Sequence, residues 1–332
     1  MANISVIGGG SWGTALAQLL LDNGHDVIVR DNNKHNVDNI NNNHTIDVLE
    51  DVILHKGMKA TTSIKEVIDF ADFIVISVPT KVMRNALNEV KDVLTTPKVF
   101  INASKGIEPV TFKRVSEIVE EVIPNEYLKG FVSISGPSHA EEVVLRKLTS
   151  IVSTSVDYKL AKEVQTIFHN KNYFRVYTST DIIGAEMGAS LKNVIALASG
   201  ILTGLGYGDN ARAALITRGL VEMNRLSVAV GAESKTLLGL TGIGDLIVTC
   251  TSLHSRNFQA GFKIGSGTNL EETLNSMTMV VEGARSAKAA YDLAKELDIE
   301  IPIIEATYDI IYNHISPNES ISKLMNRDLK AE

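Results

Sequence analysis

The chain has 332 residues, of which 44% are hydrophobic, and a formal net charge of −7. That length suits two domains of ordinary size, and the apolar share is that of a globular core. The acidic balance argues against a general nucleic-acid binder, which needs a basic excess to displace counterions. The single cysteine, Cys250, rules out an internal disulfide.

The start, Met1-Ala2-Asn3-Ile4, lacks the basic and apolar stretches of a secretory signal. The longest nearly uncharged segment, Val194–Gly208, is too short to span a bilayer. The expectation is a cytoplasmic protein with no membrane insertion.

Ile4–Ile7 reads as a strand. Thr14–Asn23 reads as a helix, with Ala15, Leu16, Leu19 and Leu20 on one face and Gly24 as its C-terminal cap. Val27–Val29 is the next strand, and Asn32–Asn43 is polar enough to be loop and weak helix. Phe73–Ser77 and Val99–Ala103 are nearly all apolar, as in parallel strands buried on both faces. Thr111–Val122 reads as a helix, and Phe131–Ser135, Ser150–Ser153 and Phe174–Tyr177 continue the β character.

Strand–helix alternation predicts an α/β, Rossmann-type doubly wound sheet. The pattern changes near Thr178. Gly184–Leu205, Ala211–Val230, Ala284–Leu297 and Pro302–Ile311 all read as helices. In the third, Ala287, Ala290, Leu293, Ala294 and Leu297 form an apolar stripe. The expected organisation is a dinucleotide-binding domain over residues 1–178 and an all-helical substrate and catalytic domain over 179–332.

Gly8-Gly9-Gly10-Ser11-Trp12-Gly13 fits G-x-G-x-x-G between a strand and a helix. Gly8 permits the tight turn, Gly10 lets the backbone approach a pyrophosphate, and Gly13 lets helix and strand pack closely. The helix N-terminus adds N–H donors and a positive dipole end. An acid at the end of the second strand selects NAD and a basic residue NADP, but Arg30, Asp31 and Asn32 stand there together. The sequence leaves the preference open.

Four further segments are unlike plain core. Asn102-Ala103-Ser104-Lys105-Gly106 follows a buried strand, at the end where ligands bind in such sheets. Ser135-Gly136-Pro137-Ser138-His139-Ala140 fixes a turn that leaves N–H groups and the Ser138 hydroxyl for a ligand. A lone histidine such as His139 is more often structural than catalytic. Lys192 lies in an apolar helix, where a charge is expensive unless it has a purpose. Desolvation suits such a lysine to proton transfer, while the competing reading has it snorkel to the surface. In the last segment, glycines turn the chain before Asp245, and Ser255 reads as a helix N-cap with Arg256 and Asn257 in the first turn. That is an anion site in outline, or simply the start of a surface helix. No cluster has metal-ligand spacing, so no metal is expected.

These segments together resemble the bacterial NAD(P)-dependent glycerol-3-phosphate dehydrogenase family. Gly8–Ala15, Ser77–Thr80, Ser104–Glu108, Ser135–Glu142, Leu191–Asn193, Gly204–Ala211, Gly242–Asn257 and Val280–Gly283 match in family order over nearly the whole chain. The resemblance implies interconversion of sn-glycerol 3-phosphate and dihydroxyacetone phosphate with NAD or NADP, supplying glycerol phosphate for phospholipids. It implies Lys192 as proton acceptor in glycerol phosphate oxidation, with Asp245 beside it. It implies substrate contacts from Lys105, Gly136, Ser138, Asp245, Ser255, Arg256 and Asn257. Cofactor contacts are implied for Ser11, Trp12, Asn32, Lys105, Ala140, Arg256, Val280 and Glu282. It further implies a cytoplasmic homodimer.

Two places depart from the family: the proline-containing stretch expected near position 48 reads Asp47-Val48-Leu49-Glu50, and Arg30-Asp31-Asn32 replaces a Trp-x-Arg-like strand end. The rival readings are a two-domain dehydrogenase acting on another hydroxy acid, hydroxyacyl-CoA or sugar phosphate, and a nucleotide-sensing regulator without turnover.

Overall fold

A computed structural model of the chain describes residues 1–108, 111–269, 271–273 and 281–329. It divides into two compact units. The first is Met1–Lys105 with Lys113–Glu186; the second is Gly106–Phe112 with Met187–Glu332. One boundary between the units falls between Glu186 and Met187, inside a helix.

The first unit is built on an eight-stranded sheet in the order β3-β2-β1-β4-β5-β6-β7-β8. Its strands are β1 (Asn3–Ile7), β2 (Asp26–Arg30), β3 (Lys59–Thr61), β4 (Phe73–Ile76), β5 (Lys98–Asn102), β6 (Leu128–Ser135), β7 (Thr149–Thr154) and β8 (Phe174–Ser179). Side chains alternate between the faces of a strand. Val75, Val99 and Ile101 therefore join a core on one face, with Leu16 and Leu19 of α1 (Ser11–Asp22). Ile74, Ile76 and Phe100 join a second core on the other face. There they meet Val67 of α3 (Ile64–Phe70), Leu87 and Val90 of α4 (Met83–Lys91), and Ile118 of α5 (Val115–Val122). Each such side chain stabilises the fold by about 1.5–3 kcal/mol relative to exposure. Helices on both faces are what a sheet of nearly unbroken apolar strands requires.

The doubly wound sheet is as expected, parallel except where β6 and β7 pair antiparallel. Several expectations need correction. Short β3 and α3 carry too weak an apolar period to be read. The helix expected from Thr111 begins only at Val115, because Phe112 has a left-handed φ of 56° and Arg114 caps the helix in extended geometry. The polar stretch after β2 forms α2 (Lys34–Asn43), started by the Asn33 side chain, which accepts from His35 N. α1 ends as expected: Gly24 has φ of 80°, and the His25 N–H returns to the Leu20 carbonyl. The remaining helices of this unit are α6 (Ala140–Val144) and α7 (Tyr158–Phe168).

The second unit is helical. α8 (Ile182–Gly204) runs into it from the first unit, followed by α9 (Asp209–Ala229), α10 (Ser234–Leu237), α11 (Asp245–Thr251) and α12 (Arg256–Gly265). Then come α13 (Glu282–Glu296), α14 (Pro302–Tyr312) and α15 (Pro317–Met325). A π-type turn, Leu240–Gly244, precedes α11.

α8 and α12 pack backbone against backbone. A Cβ on Gly200 would lie 2.1 Å from the Phe258 carbonyl oxygen, and one on Gly261 2.1 Å from that of Leu197. Only glycine allows so close an approach, and it fixes α12 against the helix that carries Lys192. In α13, Ala287, Ala290 and Ala294 are buried as the stripe predicts, but Leu297 is 40% exposed because the helix ends at Glu296. Among the described residues no single helix is long and apolar enough to cross a membrane.

Candidate functional site

In the first unit, β1 leads through Gly8–Gly10 directly into α1. Gly8 has φ of 108°, and a Cβ there would sit 2.3 Å from the Ser77 carbonyl oxygen. A Cβ on Gly13 would sit 2.0 Å from the Gly8 carbonyl oxygen. These two glycines therefore carry the turn and the close packing. Gly10 is different: a Cβ there meets nothing within 4 Å, so its backbone faces open space. Gly10 caps α1 without a side-chain hydrogen bond. The hydroxyl of Ser11 and Nε1 of Trp12 are both buried without a hydrogen-bond partner. Unpaired buried donors beside an open backbone at a helix N-terminus suit an anionic, hydrogen-bonding ligand such as a dinucleotide pyrophosphate.

Asp31, just past β2, folds its carboxylate over this loop. A Cβ on Gly9 would be 2.6 Å from its Oδ2. Arg30 turns elsewhere and pairs with Glu89 of α4 at 2.6 Å. Asn32 is exposed.

The strand-end loops of β5 and β6 meet. Lys105, half-buried, donates from Nζ to the Gly136 carbonyl at 3.3 Å. Ser138 Oγ donates to the same carbonyl at 3.0 Å. Gly136 has φ of 149°, and a Cβ there would press on Ile151 Cα at 2.9 Å. Ala140 opens α6 with His139 as its N-cap residue.

Behind these loops lies a fully buried carboxylate, Glu186. It accepts from Ser116 N at 3.1 Å, Ser116 Oγ at 2.5 Å and Asn102 Nδ2 at 3.3 Å. Asn102 Oδ1 in turn accepts from Ser104 N at 2.8 Å, which ties the residue before Lys105. Burial pushes the Glu186 carboxyl up to about 7, against the pull of Ser116 and of Arg114.

In the second unit, Lys192 sits midway along α8 and is 4% exposed. It does not snorkel. Its Nζ donates to Asp245 Oδ1 at 2.5 Å and to Thr249 Oγ1 at 2.9 Å. Asp245 begins α11 and is 1% exposed. Thr249 stands one turn later and donates to the Asp245 backbone carbonyl at 2.5 Å, which leaves its oxygen lone pairs to the ammonium. Burial also drives the neighbouring Cys250 thiol up to about 12, so it is not a nucleophile.

Ser255 is the N-cap expected: its hydroxyl accepts from Phe258 N at 3.2 Å. Arg256 is exposed in the first turn of α12, while Asn257 is 9% exposed. The Asn257 amide is already engaged. Oδ1 accepts from Gly283 N at 2.8 Å, and Nδ2 donates to Asn193 Oδ1 at 3.0 Å. A backbone N–H can only donate, so it fixes which way the Asn257 amide faces. Glu282 begins α13. Val280 lies outside the described residues.

The structure thus brings together Lys105 with Gly136 and Ser138, Lys192 with Asp245, and Ser255–Asn257 at one helix start. The sequence reading gave no role to Asn102 or Asn193, and it missed Thr249, Ser116 and Glu186. Thr249 lies four residues after Asp245, a spacing that shares a helix face. Glu186 carried the same signal as Lys192, a charge in an apolar helix.

Residues 3–161 match the family described as NAD-dependent glycerol-3-phosphate dehydrogenase N-terminus, and residues 181–322 match its C-terminus. A glycerol-3-phosphate dehydrogenase [NAD(P)+] of Acholeplasma laidlawii is 53% identical over 331 residues, covering 99% of this chain and 98% of that protein. One from Bacillus cereus is 50% identical over 333 residues, covering 100% and 98%. The crystal structure of glycerol-3-phosphate dehydrogenase from Coxiella burnetii superposes with a TM-score of 0.91 at 32% identity, covering 98% of this chain and 99% of that one.

Proposed function

The chain belongs to the NAD-dependent glycerol-3-phosphate dehydrogenase family, and from that premise we infer how its own residues carry the reaction. It is an oxidoreductase that interconverts sn-glycerol 3-phosphate and dihydroxyacetone phosphate with NAD or NADP, a step that supplies glycerol phosphate for phospholipids. The observation that carries the assignment of roles is the buried Lys192–Asp245 pair, 2.5 Å apart, within a chain matched from end to end. A nucleotide sensor has no use for a desolvated proton donor.

A reduced nicotinamide held at the Gly8–Gly13 loop would supply the hydride. In our reading Lys192 gives the proton to the ketone oxygen and takes it back in the reverse direction. Asp245 and Thr249 hold the ammonium in place. Ser255, Arg256 and Asn257 bind the phosphate, with the α12 N-terminus adding its dipole. Anchoring the phosphate away from the reacting carbon fixes the substrate pose, so remote binding energy lowers the barrier.

Lys105, Gly136 and Ser138 contact the substrate. Gly8, Gly10, Ser11, Trp12, Gly13, Asn32, Lys105, Ala140, Arg256, Val280 and Glu282 hold the dinucleotide. Residues 1–178 act as the dinucleotide-binding domain and 179–332 as the substrate and catalytic domain. The same reading makes the protein a cytoplasmic homodimer, on the strength of the family resemblance.

The test is a steady-state assay with dihydroxyacetone phosphate and each reduced nicotinamide in turn, read by the loss of nicotinamide absorbance. Turnover supports the reading. No turnover with either nicotinamide, alongside activity on another carbonyl substrate, would overturn it.

A further inference from the structure

The sequence presents an arginine and an aspartate side by side where cofactor choice is made, and the structure separates them. Neighbouring residues at a strand end point to opposite sides, so only one of the two can face the glycine loop. Asp31 is that one: its Oδ2 lies 2.6 Å, and its Cβ 2.9 Å, from where a Gly9 Cβ would stand. The carboxylate is also held there. Asn33 N donates to Oδ1 at 2.7 Å and Asn36 Nδ2 to Oδ2 at 3.1 Å.

Arg30 faces the other way, towards α4. Its guanidinium ion-pairs with Glu89 at 2.6 Å, and its side chain is only 12% exposed. The next residue, Asn32, is exposed and uncharged.

We infer that Asp31 is the specificity-determining residue for the cofactor, and that this chain selects NAD(H) over NADP(H). The inference rests on the dinucleotide reading of the glycine loop. A carboxylate at this place accepts hydrogen bonds from the ribose hydroxyls. It repels a 2′-phosphate, and the arginine that could offset that charge is committed to Glu89. A carboxylate set against a phosphate in this way corresponds to discrimination on the order of 100-fold.

Binding can be measured without substrate. Trp12 is the only tryptophan in the chain and stands in the loop itself, so its fluorescence reports nicotinamide dinucleotides directly. The full-length protein is titrated with NADH and with NADPH. NADH should bind tighter by on the order of 100-fold. Asp31→Ala should shrink the ratio to below about 10-fold by relieving the repulsion and losing the ribose contact. Asp31→Asn keeps an acceptor for Asn33 N and should move the ratio the same way, which separates charge from any folding defect. Glu89→Gln releases Arg30 on the far side and should leave the ratio unchanged.

Equal or tighter binding of NADPH to the unaltered protein would overturn the inference. So would a ratio unmoved in both Asp31 variants, or a gain in NADPH affinity in Glu89→Gln. NADH-selective binding without dihydroxyacetone phosphate turnover would fault the proposed reaction while supporting this selectivity. Binding of neither dinucleotide would refute both.

Discussion

Replacing Asp245 by Asn isolates the charge in the pair on which the assigned chemistry depends. At 2.5 Å and an effective dielectric of about 20, the attraction between Lys192 and Asp245 is about 7 kcal/mol before desolvation. Removing one partner of a buried pair usually costs about 3–5 kcal/mol. Asparagine keeps the shape and a carbonyl oxygen, and Thr249 Oγ1 still accepts from the amine at 2.9 Å, so about 3 kcal/mol is expected. Without the carboxylate, the buried ammonium loses a counter-charge and a fixed orientation, so delivery of its proton to the ketone is impaired. Turnover of dihydroxyacetone phosphate should fall by roughly 100- to 1000-fold, with nicotinamide affinity unchanged. The assay is steady-state nicotinamide oxidation beside thermal unfolding, and stability is also read in a cycle of Asp245→Leu, Lys192→Met and Lys192→Met/Asp245→Leu. The double variant should be inactive yet more stable than either single, because no unpaired buried charge remains. Turnover within about 3-fold of the unaltered enzyme in Asp245→Asn would refute the argument. Stability losses that simply add in the double variant would refute it too.

Arg256→Ala should raise the Michaelis constant for dihydroxyacetone phosphate by about 10- to 100-fold, the worth of a charge-assisted hydrogen bond; an unchanged constant would count against a phosphate contact. Gly13→Ala should lower the thermal midpoint by the equivalent of ~3 kcal/mol and abolish nicotinamide binding, because its Cβ would meet the Gly8 carbonyl at 2.0 Å. Ordinary melting and binding would disprove that reading of the loop. Glu222 is buried where it accepts from Ile303 N and Ile304 N at the start of α14, and burial raises its carboxyl to about 7. The folded state therefore holds this proton more tightly than the unfolded chain does. The resulting stability is full below the unfolded value near 4.5 and is lost as pH rises through about 7. Glu222→Gln keeps an acceptor and removes the titration. Its melting temperature should fall less between about pH 5 and about pH 8 than that of the unaltered protein, and parallel curves would show that Glu222 does not titrate there.

What the sequence made legible depended on contrast. Lys192 stood out because a charge in an apolar helix needs a reason, and the structure supplies one in Asp245 and Thr249. Glu186 offered the same contrast, and its partners Ser116 and Asn102, like those of Lys192, come from distant parts of the chain. The long helices of the second unit and the buried strands β1, β4 and β5 were readable from period and composition. β3 and the antiparallel step from β6 to β7 were not, because pairing direction leaves no mark in a short apolar run. Cofactor choice was unreadable for a different reason. Arg30 and Asp31 carry opposite instructions, and only the side each one faces decides between them.

The segment Gly106–Phe112 leaves the sheet after β5 and counts with the helical unit, although the chain then returns to the first unit for residues 113–186. No single cut therefore yields both bodies whole. A fragment beginning at Met187 would lack part of itself, including the buried Ile107. Chimeras of related enzymes joined within α8 inherit the same problem: the short excursion comes from one parent and its surroundings from the other. Recombination that carries residues 106–112 along with the C-terminal half should give better-folded hybrids than a single crossover.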